Sequence, residues 1–335
     1  MESEEKKNTS FLGRFYDFVE CYQREFKYAF LIASYYAIRK FVQGRVASKN
    51  GGDIPEECPG MDSSRAGKSS ACEGCPNQSA CASGESQRAA EGLKESVYNS
   101  LSNIGEVLLV MSGKGGVGKS TISTQLAFAL EKQGFRVGLL DIDITGPSIP
   151  GMTNTRGHEV YESAYGWTPV YIQDSLAVMS IGYLLQDERA AIIWRGPKKD
   201  SLIKHFLTGV HWETLDYLVV DCPPGTSDEL ITIASLLEKC NKRAILVTTP
   251  QKRSVDDVIR SAQFCKDVNI KVAMLVENMT GSVFDSNSGA AADLCKSFHI
   301  KNHVKIPSNS RITQAGEAGI ALDNFNPFEK LTNLL

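Results

Sequence analysis

Residues 113–121 read Gly-Lys-Gly-Gly-Val-Gly-Lys-Ser-Thr and follow directly on the apolar run Val107-Leu108-Leu109-Val110-Met111. Gly113, Gly118, Lys119 and Ser120 satisfy the P-loop pattern G-x-x-x-x-G-K-[ST]. Each residue type has a task. The glycines let backbone N–H groups turn inward around phosphate oxygens, Lys119 neutralises the β- and γ-phosphates, and the Ser120 hydroxyl can bind Mg²⁺. A helix starting near Gly118 aims the positive end of its dipole at the anion. Its apolar positions, Ile122, Leu126, Ala129 and Leu130, fit an amphipathic helix. Strand, glycine-rich loop and helix together predict that Gly113, Lys114, Gly115, Gly116, Val117, Gly118, Lys119, Ser120 and Thr121 cradle a nucleotide.

The rest of the chain supplies the surroundings that such a loop needs. Strands are expected at 107–111, 136–140, 216–221, 243–248, 271–276 and 303–306, with a hairpin or short strand over 175–181. Helices are expected at about 118–133, 228–239, 254–267 and 289–299. Tyr217-Leu218-Val219-Val220 and Ala244-Ile245-Leu246-Val247 are apolar on both faces, as buried parallel strands are. The alternation predicts a doubly wound, mainly parallel α/β sheet with its ligand at the carboxyl ends of the strands.

Two expected strands end in carboxylates. After 136–140 comes Asp141-Ile142-Asp143, and 216–221 closes on Asp221 before Cys222-Pro223-Pro224-Gly225. Beside a P-loop, Asp221 reads as a Walker B residue, and Asp141 and Asp143 as carboxylates that orient water or hold Mg²⁺ through water. Lys114, Lys119, Asp141, Asp143 and Asp221 are the candidate catalytic set. Guanine sites place N-K-x-D after a strand. Here Asn241-Lys242-Arg243-Ala244 lacks the Asp and precedes its strand. Adenine is the expected base, and Asn278, at the end of a strand, the candidate reader, since its amide both donates and accepts.

The chain has 335 residues, of which 42% are hydrophobic, enough for a sizeable core. A net charge of −3 gives no support for bulk nucleic-acid binding. No uncharged apolar run is long enough for a transmembrane helix, and no secretory signal with a cleavage site is seen. Three regions separate: 1–53, an amphipathic helical extension; 54–95, rich in Cys, Ser, Gly and Ala; and 96–335, the P-loop domain. In the first, Phe11, Phe15, Phe18, Tyr22, Phe26, Phe30, Ala33, Ala37 and Phe41 form one stripe at helical spacing. Residues 11–46 hold six Lys/Arg against three Asp/Glu, which suits a membrane surface or a partner groove. A helix packed on its own domain or on its dimer mate is the plainer alternative.

Four of the nine cysteines, Cys58, Cys72, Cys75 and Cys81, crowd into 24 residues as C-x13-C-x2-C-x5-C. The chain is too large for a secreted disulfide scaffold, so a reducing compartment fits. Four thiolates suit tetrahedral zinc or a four-iron cluster, and spacing alone leaves both open.

With these segments in view a resemblance can be drawn. The P-loop with its extra Lys114 resembles that of the deviant P-loop ATPases. Cys58–Cys81, Ser112–Thr121, Leu139–Pro150, Trp194–Lys199, Asp216–Glu229 and Val276–Gly281 together resemble the eukaryotic cytosolic iron–sulfur cluster scaffold ATPases of the Mrp/MinD/ParA group. The resemblance implies a MinD/ParA-like fold and a homodimer in which Lys114 reaches the partner's nucleotide. It also implies slow ATP hydrolysis with Mg²⁺, and a [4Fe-4S] cluster on Cys58, Cys72, Cys75 and Cys81. Clusters would pass to cytosolic and nuclear apoproteins. One departure is plain. Where the family carries a C-x2-C after the Asn-Met-x-Gly turn, this chain has Phe284 and Asn287. Neither ligates iron, so a hetero-complex with a shorter related ATPase that keeps the pair is expected, and Cys295 reads as core. A cytoplasmic protein, with contact to a membrane or organelle surface through 11–46, is the expected setting. The competing classes are a MinD/ParA-like membrane-associated switch and an ATP-driven reductase like the nitrogenase iron protein. The four cysteines count against the first, and the missing bridging pair against the second.

Overall fold

The computed structural model describes residues 65–144, 146–184, 196–282 and 289–335. The stripe over 11–46, Cys58, the Trp194-Arg195 pair, Phe284 and Asn287 lie outside the described residues. The chain divides into two compact units, Met1–Gln87 and Arg88–Leu335.

In the first unit, the described residues form a 3₁₀ turn at Ser70–Cys72 and the short helix α1 (Gln78–Ala82). Their ties are local. Cys72 N donates to Ser69 O (2.9 Å), Cys75 N to Cys72 O (3.1 Å) and Gln78 N to Cys75 O (3.0 Å). Gly67 has φ +70°, and a Cβ there would stand 2.4 Å from Ala82 N, so only glycine lets this turn close on α1. The helix α2 (Glu85–Ser100) leads into the second unit, where Val97 and Leu101 are buried.

The second unit is built on a sheet of eight strands. These are β1 (Ile104–Ser112), β2 (Val137–Asp141), β5 (Val170–Gln173), β6 (Leu176–Ser180), β7 (Leu215–Asp221), β8 (Lys242–Thr248), β9 (Lys271–Thr280) and β10 (Asn302–Pro307). Their order is β10-β9-β8-β1-β7-β2-β6-β5, and only β5 runs antiparallel to its neighbour. β3 (Tyr161–Ser163) and β4 (Gly166–Thr168) form a separate antiparallel hairpin. Along β1, Leu108 and Val110 join one core while Leu109 and Met111 join the other, the period-two alternation of a strand buried on both faces.

Helix α3 (Lys119–Lys132) covers the first face through Ile122, Leu126 and Leu130. The opposite face is covered by α5 (Gly196–Gly209), α6 (Asp228–Leu236), α7 (Lys252–Asp267) and α8 (Ala290–Ser297), whose Phe206, Ile233, Val258 and Leu294 share one core. The doubly wound, mainly parallel α/β sheet is therefore the observed fold. The segment 175–181 is the second arm of a hairpin, and that arm, β6, lies parallel to β2. Helices α4 (Ile149–Met152), α5, α9 (Ser310–Ala318) and α10 (Asn326–Thr332) were not legible from periodicity. α4 is a single turn opened by Ile149-Pro150, and α10 buries only Phe328, Leu331 and Thr332, too few positions for a 3.6-residue pattern to stand out.

Candidate functional site

The strand order β1-β7-β2 decides what meets at the carboxyl edge. Asp221 is level with Val110 on one side and with Asp141 on the other. The P-loop leaves β1 at Ser112, so its glycines arch over the end of β7. Gly113 touches α7 so closely that a Cβ would lie 2.3 Å from the Asp257 carbonyl carbon. Gly116 and Gly118 adopt φ +78° and +86°, the left-handed region that only glycine enters without strain. The turn is tied from both sides: Ser112 Oγ donates to Lys114 O (2.9 Å), and Gly225 N donates to Ser112 O (2.9 Å). Space beside Gly115 and Gly116 is open, and α3 begins at Lys119. The loop glycines therefore leave open space at the N-terminus of α3, the arrangement of a phosphate-binding loop.

Under the loop sits a dense polar knot. Lys119 Nζ lies 2.8 Å from Asp221 Oδ1 and 3.4 Å from Asp143 Oδ2. These contacts are ion pairs without the alignment of a full hydrogen bond, so the buried ammonium keeps donor capacity for another acceptor. Burial alone would lower the Lys119 pKa. Asp221, Asp143 and Asp141 outweigh it and hold the value above that of an ordinary lysine, so the side chain is a cation. Asp221 also accepts from Ser120 Oγ (2.6 Å) and Ser123 Oγ (2.7 Å). Ser120 and Asp221 put two hard oxygen donors together, the chemistry that Mg²⁺ takes. Ser123 was missed in the sequence. Its signal is its place three residues after Ser120, one turn along the same face of α3.

The two carboxylates that follow 136–140 in the sequence, Asp141 and Asp143, separate. Asp143 faces Lys119, whereas Asp141 is fully buried. Its oxygens accept from Ser180 Oγ (2.9 Å), Asp143 N (3.2 Å) and Ile149 N (3.4 Å). Burial and the neighbouring Asp221 push its pKa upward. Asn278 is also buried. As oriented, its Nδ2 donates to Val117 O (2.9 Å), and a Cβ on Gly118 would stand 2.3 Å from that nitrogen. Asn278 thus braces the P-loop from β9 while lining a cleft of about 980 Å³ with Thr121, Ser148, Met279, Pro307 and Ile312. Lys114 lines a smaller cavity of about 180 Å³ with Gly115, Thr249, Gln251 and Ser282. Its ammonium has no ion pair or hydrogen bond among the described residues.

Of the four clustered cysteines, Cys72 is buried and Cys75 and Cys81 are half-buried. Cys72 Sγ is 3.3 Å from Ser69 Oγ, and that hydroxyl holds the thiol below its usual pKa. Among the described residues no group of three or more His, Cys, Asp or Glu is gathered to hold a metal. The core cysteines differ in chemistry. Burial pushes Cys265 up to about 12 and Cys295, on α8, up to about 11. In both, burial disfavours the thiolate form. No helix among the described residues is long and apolar enough to cross a membrane.

Comparison with known proteins agrees with this architecture. The ParA family, described as NUBPL iron-transfer P-loop NTPase, matches residues 103–333. A nucleotide-binding protein from Archaeoglobus fulgidus, solved in complex with ADP, is 32% identical, with a TM-score of 0.61 over 70% of this chain and 95% of its own. The cell division ATPase MinD from Pyrococcus furiosus is 21% identical, with a TM-score of 0.51 over 69% of this chain and 98% of its own, a likeness of fold. By its match over most of its length, the chain belongs to the NUBPL iron-transfer P-loop NTPases of the Mrp/MinD/ParA group.

Proposed function

We propose that this protein hydrolyses ATP slowly and uses the cycle to assemble [4Fe-4S] clusters and pass them to cytosolic and nuclear apoproteins. The observation that carries the ATPase half is the knot of Lys119, Ser120, Asp143 and Asp221 beneath an open glycine loop. An arriving triphosphate meets the loop N–H groups and takes Lys119 as its main cation. Ser120 and Asp221 would hold Mg²⁺, which would supply charge neutralisation at the phosphate oxygens. Asp143, beside Lys119, orients the attacking water. Lys114, without an ion pair among the described residues, reaches the nucleotide of a second copy, which makes the active form a homodimer. Asn278 and the cleft beside it take the adenine.

The iron half rests on the family and on the contrast between cysteines. Cys58, Cys72, Cys75 and Cys81 hold the resident cluster. Cys72 is already biased toward thiolate, the state that a metal requires. Phe284 and Asn287 provide no bridging thiolates, so the transfer partner is a shorter related ATPase that keeps its C-x2-C pair. The protein is cytoplasmic, and residues 11–46 supply its contact with a membrane or organelle surface.

The test uses the full chain, reconstituted anaerobically. Phosphate release from ATP and GTP is followed, and iron, acid-labile sulfide and zinc are counted. About four irons per chain and slow release from ATP in preference to GTP are expected. One zinc without iron removes the cluster assignment, and no phosphate release removes the ATPase.

A further inference from the structure

We propose that Ser180 and Tyr183, which lie outside the phosphate site, are positioning residues that clasp the segment after β2 so that Asp143 meets the reacting phosphate. This rests on the ATP-hydrolysis reading above.

Two sets of hydrogen bonds form the clasp. Ser180 closes β6 and is level with Asp141 across the sheet. Its hydroxyl donates to Asp141 Oδ2 (2.9 Å) and accepts from Gly182 N (3.0 Å). Asp141 in turn accepts from the N–H groups of Asp143 and Ile149. One buried hydroxyl therefore joins the 3₁₀ turn Ile181–Leu184 to backbone near both ends of the phosphate-side loop.

The second set starts at Tyr183. Its OH is 2.6 Å from Thr155 Oγ1, which is 2.7 Å from Thr153 Oγ1, and Thr153 Oγ1 donates to Ile149 O (2.8 Å). Thr153 donates to the Ile149 carbonyl, and Thr155 Oγ1 also lies 3.5 Å from Pro150 O, so the row of hydroxyls is tied to the backbone of α4 at two carbonyls. Packing closes the gap between the two elements: a Cβ on Gly182 would lie 2.9 Å from Pro150 Cγ.

The functional consequence follows from what the clasp omits. Among the described residues neither Ser180 nor Tyr183 hydrogen-bonds to Lys119, Ser120 or the glycine loop, the proposed phosphate holders. Asp143 is the member of the clasped segment that reaches Lys119. Loosening the clasp should therefore misplace Asp143 while leaving phosphate binding intact. A group displaced by about an ångström can lower turnover by up to about a hundredfold. A merely structural role would instead reduce the folded fraction, and binding with it.

The experiment compares full-length wild type, Tyr183→Phe, Ser180→Ala and the double variant. Tyr183→Phe removes a single oxygen and keeps the packing. The expected result is kcat lowered about tenfold in each single variant, with KM for ATP within about twofold. Deuterium uptake over residues 146–155 should rise in both variants, with uptake over 113–121 unchanged. The double variant should lose less than the product of the single effects, because both residues hold one segment. Wild-type kcat in both variants overturns the proposal. So does a raised KM at constant kcat. If the wild type releases no phosphate, the hydrolysis reading fails on its own, and the exchange measurement still decides the clasp: unchanged uptake over 146–155 in both variants overturns it.

Discussion

At the phosphate site, Asp221 accepts a hydrogen bond from Ser120, 101 residues earlier in the chain, and Asn278 braces Val117 from 161 residues later. Around Cys72, Cys75 and Cys81 the backbone bonds span only a few residues, from Ser69 to Cys72 and from Asn77 to Cys81. The first region is fixed by the sheet, whose strand order brings distant residues together whether or not a ligand is bound. The second has Ala66, Gly67 and Cys72 as its buried residues and gathers no metal-holding group among the described residues. On the proposed function a nucleotide would enter a site that the sheet assembles, whereas a metal on the cysteine segment would draw its ligands from short-range turns. Each region should fail in its own way.

The largest effect belongs to Lys119→Ala. Ionic hydrogen bonds contribute about 1.5–3 kcal/mol each, and about 1.4 kcal/mol is tenfold in affinity. Loss of a buried cation with more than one phosphate contact should weaken ATP binding by about a hundredfold or more, with iron on the cysteine segment unchanged. Titration calorimetry with ATP and an iron assay on the same sample check both halves. Unchanged ATP affinity would remove Lys119 from the site. Lys114→Ala should spare binding and reduce turnover if, as proposed, its partner is the second copy's nucleotide.

Next comes Cys72→Ser with Cys75→Ser. Oxygen is a poor substitute for sulfur at iron, so iron should fall from about four per chain toward zero while ATP affinity stays within about twofold. If ATP affinity falls together with iron, the contrast between a prepared and a metal-organised region breaks, and the two must be energetically linked.

These regions were also unequally legible. The P-loop could be read because each residue in Gly113–Thr121 has a local task that leaves a local pattern. Asp221 could be read because a lone carboxylate closes an otherwise apolar strand, Tyr217-Leu218-Val219-Val220. The division of labour between Asp141 and Asp143 could not. It depends on Ser180, whose hydroxyl matters only because β6 lies beside β2, and a single serine at a strand end carries no periodic signal. Asn278 was legible as a residue at the site, but its tie to Val117 O needs β9 and the loop to be seen together. The cysteine spacing spoke of a metal without saying which, since local turns can bring thiolates to zinc or to iron alike.

The smallest effect, and the sharpest probe of how completely the phosphate site is prepared, is Ser123→Ala. Ser123 Oγ is 2.7 Å from Asp221 Oδ1 and 3.1 Å from Lys119 O. Lys119 Nζ lies 2.8 Å from the same Oδ1, so losing the hydroxyl leaves that oxygen a cation beside it. Once ATP draws Lys119 toward phosphate, Ser123 becomes the remaining donor to Oδ1. Its removal should therefore be felt mainly in the bound state. A hydrogen bond of this kind contributes about 1 kcal/mol net, or about fivefold in ATP affinity, with little change in the thermal midpoint of the free protein. Ser120→Ala should cost more when Mg²⁺ is present, because Ser120 also serves the metal, and the two variants should converge in EDTA. Equal losses with and without Mg²⁺ would place Ser120 and Ser123 in the same role, as struts for Asp221, and would leave Asp221 as the principal protein contact to the ion.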